Sequence, residues 1–183
     1  MSSHQEKPSI PVIQIVGYKN AGKTTLVTSL LPLWAAAGKR VAVIKHDAHQ
    51  FQMDHEGTDT FAHTEAGAAA VAITSPSRTA ILSQQSTSLD ELIQQLAQTG
   101  NPPYDLILVE GFKREPYPKV VIVADDSGLE LLEQVTALHW IYARLQSENI
   151  ATHFLNMKQI PIIPSGKDGI MELFTLLNAY IES

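Results

Sequence analysis

The stretch Gly17-Tyr-Lys-Asn-Ala-Gly-Lys-Thr-Thr25 constrains this chain more than any other. It matches G-x-x-x-x-G-K-[ST] at Gly17, Gly22, Lys23 and Thr24. A loop of this spacing curls so that successive backbone N–H groups point inward at a polyphosphate. Its small residues let the main chain come close to the anion. Lys19, Asn20, Ala21 and Thr25 belong to the same cradle. Lys23 supplies a cation for the β- and γ-phosphates, and the Thr24 hydroxyl is placed to ligate Mg²⁺. The flanks agree with this reading. Pro11–Val16 is apolar and β-branched, as in a buried strand, and Thr24–Leu31 carries apolar residues at helical spacing, closing near Gly38. The positive end of that helix faces the same anion. Together these features predict a nucleotide phosphate site.

The 183 residues suit one globular domain, 44% hydrophobic and 17% charged. Residues 9–183 are expected to form a single P-loop NTPase domain behind a disordered tail over 1–8. The net charge of −6 argues against non-specific nucleic-acid binding, which needs a basic face. There is no cysteine, hence no disulfide framework and no thiolate metal site. No apolar run approaches the ~20 residues of a membrane helix. With a polar amino terminus, the expected location is the cytoplasm.

Further strands are expected at Val41–Ile44, at the end of Ala66–Thr74, and over Thr79–Ser83, Leu106–Val109, Val120–Val123, Val135–Ala143 and Ile160–Ile163. The small residues of Ala66–Ala70 suggest close packing against neighbouring backbone. Helices are expected over Gly57–Ala66, capped by Thr58 or Asp59, over Ser88–Gly100, and from about Asp168 to Glu182. Pro32 should kink or end the first helix nearby. Strands alternating with helices give an α/β class, a P-loop NTPase with a mainly parallel sheet and helices on both faces.

Mg²⁺ chemistry beside such a loop needs an acid at a nearby strand end. Asp105 precedes Leu106–Val109 and should lie at the far edge; Glu110 follows it, on the edge of the glycine loop. Glu110 is therefore the metal-side carboxylate, and Gly111 lets the backbone turn beside it. Lys45, His46, His49, Asp54, His55, Asp59 and His63 form a second polar group. It reads as a nucleotide-responsive loop, a capped surface loop or a transition-metal site.

At these residues the chain resembles a known family. GYKNAGKTT, VIKHDAH, EGTDTFAHTEAGA and DLILVEGFK together look like the MobB-type molybdopterin-guanine dinucleotide biosynthesis adaptor proteins, over about residues 10–125. The resemblance implies a GTP-binding, usually dimeric P-loop protein with weak intrinsic GTPase activity. It would work with the guanylyltransferase that joins GMP to molybdopterin, with molybdopterin itself a candidate ligand. Carried over by motif, Gly17–Thr25 hold the nucleotide and Thr24 and Glu110 lie on the Mg²⁺ side. Lys45, His46, His49, Asp59, His63 and Lys113 fall on the family's polar segments. There is no N-K-x-D guanine-reading motif, so guanine preference comes from the resemblance. Tyr18 stands where related dimeric ATPases carry a signature lysine. A P-loop small-molecule kinase and a nickel or zinc metallochaperone GTPase using His46–His63 are the competing readings.

Overall fold

The computed structural model describes residues 10–47, 51–144 and 159–183. The strands are β1 (Val12–Val16), β2 (Val41–Lys45), β3 (Ala70–Ser75), β4 (Arg78–Ser83), β5 (Leu106–Glu110), β6 (Lys119–Val123), β7 (Leu138–Ala143) and β8 (Ile162–Pro164). The helices are α1 (Lys23–Ala36), α2 (Asp59–Glu65), α3 (Leu89–Thr99), α4 (Ser127–Gln134) and α5 (Lys167–Ile181). The chain divides into two compact units, Met1–His46 with Leu89–Ser183 and Asp47–Ser88, where the sequence suggested one domain over 9–183.

The larger unit is a six-stranded sheet in the order β2-β5-β1-β6-β7-β8. Every pairing in it is parallel. Its central strands are apolar on both faces save at Gln14 of β1 and Lys119 of β6, as burial on both sides favours. Ile13 and Ile15 of β1 point to a core shared with Leu26, Val27, Leu30 and Trp34 of α1 and Leu173 and Leu177 of α5. The alternate residues face the other way. Val12 packs with Leu89 and Ile93 of α3, and Val16 with Leu131 and Leu132 of α4. Helices thus cover both faces.

Helix α1 does not end at Pro32 but continues to Ala36. Buried Leu30 and Trp34 straddle the proline, and their packing outweighs the one backbone bond it removes. The helix stops at Gly38, at φ +73°, where Lys39 N–H bonds the carbonyl of Trp34 at 2.9 Å and Gly38 N–H that of Ala35 at 3.0 Å. The first part of the expected Val135–Ala143 strand is not strand, since β7 begins at Leu138; α4, just before it, was not anticipated.

The smaller unit contains α2 and the antiparallel pair β3–β4. Thr58 caps α2, its side chain accepting from Phe61 N–H at 3.2 Å. The close packing expected of the small residues is not found there, because Ala69, Ala70 and Ala72 are exposed.

Candidate functional site

Parallel strands place all carboxyl ends on one edge, and the glycine loop leaves β1 there. Glu110, the last residue of β5, is level with Ile15 of β1 and Lys45 of β2. It is only 6% exposed. Thr24 Oγ1 donates a hydrogen bond of 2.8 Å to Glu110 Oε1. The hydroxyl and carboxylate that the sequence singled out for the Mg²⁺ side therefore meet. Asp105 lies at the opposite strand end, its carboxylate accepting from Arg40 N–H at 2.7 Å.

Lys23 folds back over the loop, its Nζ donating to the carbonyls of Gly17 at 3.0 Å and Tyr18 at 2.8 Å. Burial holds its pKa below the ordinary lysine value; Lys45 adds to that and Glu110 opposes it. Helix α1 starts at Gly22, which adopts φ +97° and has open space where a Cβ would stand. Its N-cap residue, a glycine, makes no side-chain capping bond. Its first N–H groups thus face the loop as an anion site does. Asn20 also adopts the left-handed region, at φ 63°. A cavity of about 120 Å³ opens beside the loop, lined by Tyr18, Lys19, Asn20, Ala124, Asp125 and Ser127.

On the other side, His46 N–H bonds the Glu110 carbonyl at 2.9 Å, and its ring lies 4.4 Å from that of Phe112. Lys113 Nζ stands 5.5 Å over the ring of Tyr18. Lys45, His46 and Lys113 are thus carried on the same sheet edge as the loop. Asp59 and His63 belong to α2 in the smaller unit, and both are exposed. His49 lies outside the described residues. Among the described residues no group of three or more His, Asp or Glu side chains is arranged to hold a metal.

Sequence reasoning passed over Gln14 and Lys119. With Glu110 they are the buried polar or charged side chains among the described residues, and each of the two is 0% exposed. Gln14 Nε2 donates to the carbonyls of Gly111 at 3.2 Å and Phe112 at 2.7 Å. Lys119 Nζ donates to the carbonyls of Glu115 and, at 3.0 Å, Tyr117. Burial lowers the Lys119 pKa to about 8, with nearby Glu115 opposing the shift. A glutamine or lysine within an apolar run gives no motif; only its place in the pleat could have marked it.

These features define a class first: an α/β protein whose inner parallel strand runs through a glycine-rich loop into a helix, with an acid on the adjoining strand tip. Residues 12–142 match the family model described as MobB, Molybdopterin guanine dinucleotide synthesis protein B, and the chain belongs to that family. It is 44% identical over 115 residues to the molybdopterin-guanine dinucleotide biosynthesis adapter protein of Haemophilus influenzae, covering 62% of this chain and 63% of that one. The stretch shared with this relative is thus under two thirds of its length. The corresponding Escherichia coli adapter protein is 35% identical over 136 residues, 74% of this chain and 78% of that one. The crystal structure of Bacillus subtilis MobB superposes with a TM-score of 0.74 at 26% identity, covering 93% of this chain and 97% of that one. No helix among the described residues is long and apolar enough to cross a membrane.

Proposed function

We propose that this chain is a GTP-binding adaptor of molybdopterin-guanine dinucleotide biosynthesis, assisting the guanylyltransferase that converts molybdopterin to the dinucleotide. Family membership supports the pathway. The observation that carries the nucleotide reading is the Thr24–Glu110 contact at the mouth of the glycine loop. The Gly17–Thr25 loop, with Lys19, Asn20, Ala21, Gly22 and Lys23, holds the phosphates, and Lys45, His46 and Lys113 border them. A hydroxyl and a carboxylate are hard oxygen donors of the kind Mg²⁺ accepts alongside phosphate oxygens and water. Mg²⁺ bound by Thr24 and Glu110 would neutralise phosphate charge there. Lys23 would leave its two loop carbonyls for the β- and γ-phosphates.

The active form is read as a homodimer, and the work is done in the cytoplasm. Molybdopterin is the candidate second ligand, and the polar segment carrying His49, Asp59 and His63 the candidate responsive surface. The kinase and metallochaperone readings are not favoured, because the family match names neither chemistry.

Calorimetry of GTP against ATP, each with Mg²⁺, on wild type and Lys23→Ala tests this reading. GTP is expected to bind the more tightly, and Lys23→Ala to abolish binding while the circular dichroism spectrum is kept. Unchanged affinity in the variant removes the phosphate site, and an ATP preference removes the guanine assignment.

A further inference from the structure

We propose that Gln14 and Lys119 are positioning residues of the nucleotide site: from beneath the sheet edge they hold Gly111–Pro118 in the conformation that keeps Glu110 aimed at Thr24. This deepens the nucleotide·Mg²⁺ reading above and rests on it.

The two residues are register partners on adjacent strands, Gln14 on β1 and Lys119 on β6. Parallel register puts their side chains on the same face, the one that also carries Val16 and Val121. Burying an ammonium in such a layer is costly unless its protons are taken up. Here the acceptors all come from one segment. Gln14 reaches Gly111 and Phe112 at its beginning, and Lys119 reaches Glu115 and Tyr117 towards its end. Gln14 Oε1 is buried and has no hydrogen-bond partner among the described residues, where only the donor half of this amide is used. Two donors from the middle of the sheet thus fasten the carbonyls of a single crossover.

The segment needs fastening. Gly111 adopts φ +103° and Phe112 φ +53°. An aromatic residue in the left-handed region persists only where its surroundings over-determine it. The shorter of the two Gln14 bonds, 2.7 Å, is to the carbonyl of Phe112. That turn begins at the residue after Glu110, so its geometry sets where the carboxylate points. The same segment presents Lys113 over Tyr18 and bonds Tyr117 Oη to Asp90 Oδ1 of α3 at 2.6 Å.

A purely structural pair would weaken every ligand alike when removed. A positioning pair weakens the part of binding that runs through Glu110. The test uses Gln14→Met and Lys119→Met, which keep side-chain length and remove the donors. Affinity for a non-hydrolysable GTP analogue is measured in EDTA and in Mg²⁺. The wild type is expected to bind more tightly with Mg²⁺. Each variant should match it in EDTA to within about twofold and lose about tenfold or more of the Mg²⁺-dependent gain, as for a residue orienting a metal ligand. An undiminished gain overturns the proposal, as does an equal loss with and without Mg²⁺. If Lys119→Met does not fold, Gln14→Met decides by the same outcomes. Lys23→Ala, run alongside, separates the failures: if it still binds, the nucleotide reading falls, whatever the other variants do.

Discussion

Gly111 is a place where the backbone tolerates a side chain poorly. At φ +103° any L-residue is strained, and an added Cβ would stand 3.0 Å from the Cβ of His46. Gly111→Ala is expected to destabilise the fold by about 1–3 kcal/mol, read from urea midpoints. Lys119 gives a prediction about pH. Its folded pKa of about 8 lies below the ordinary lysine value of 10.5, because burial disfavours the charged form. Between these values the unfolded chain binds more protons, so this residue's contribution to stability rises with pH. Below about pH 8 the residue is charged in both states and its burial penalty acts in full. Tyr117, whose pKa is raised by burial and by the bond to Asp90, has the opposite sign, but only above the ordinary tyrosine value of 10. The stability of wild type relative to Lys119→Met should therefore increase from pH 8 to pH 10; a difference independent of pH counts against it. The meeting of Thr24 with Glu110 was legible, because a helix leaving β1 and the last residue of a parallel neighbour must share one sheet edge. Gln14 and Lys119 were not: a lysine opening an apolar strand reads as a solvated end until neighbouring strands enclose it.

Among the elements, local pattern served best where one face is buried. Leu173 and Leu177 of α5 are the fully covered members of the face read from the sequence, with Ile170, Phe174 and Ile181 beside them. Pattern failed at α4, where glycine and two glutamates dilute an eight-residue helix. The β3–β4 pair shows a different limit, since periodicity does not say whether a strand joins the main sheet or pairs only with its neighbour in sequence. Ile73 and Ile81 are 56% and 71% exposed. Ile73 lies opposite Ala80 and Ile81 opposite Ala72, which puts the two isoleucines on opposite faces. A two-stranded ribbon is marginal in water by itself, and while single exposed aliphatics are ordinary, a contiguous apolar patch marks a contact surface. If the proposed homodimer exists and is built through this ribbon, Ile81→Lys should shift light-scattering mass from dimer to monomer while leaving nucleotide affinity intact. An unchanged mass would exclude β4 from the interface.

At the scale of the whole molecule, the order β2-β5-β1-β6-β7-β8 sets the glycine loop between two strands that each deliver something to it. From β5 comes Glu110, and from the carboxyl end of β6 come Ala124 and Asp125 beside Tyr18 and Lys19. This parallel architecture was readable from the alternation of segments. The division at His46 and Leu89 was not, because no composition shift or linker marks it. No arginine finger or water-positioning glutamine is recognisable by motif, so unaided turnover is expected to be slow. Purified protein releasing phosphate from GTP at several per second would contradict that.

The paired amide and ammonium at the centre of the sheet bear on how the chain assembles. While the crossover between β5 and β6 is loose, zipping β1 against β6 strands both groups in a dry layer with nothing to donate to. Buried donors without acceptors are costly, so a sheet closed ahead of its crossover is expected to be disfavoured, and the inner strands and the crossover are expected to form and melt as one unit.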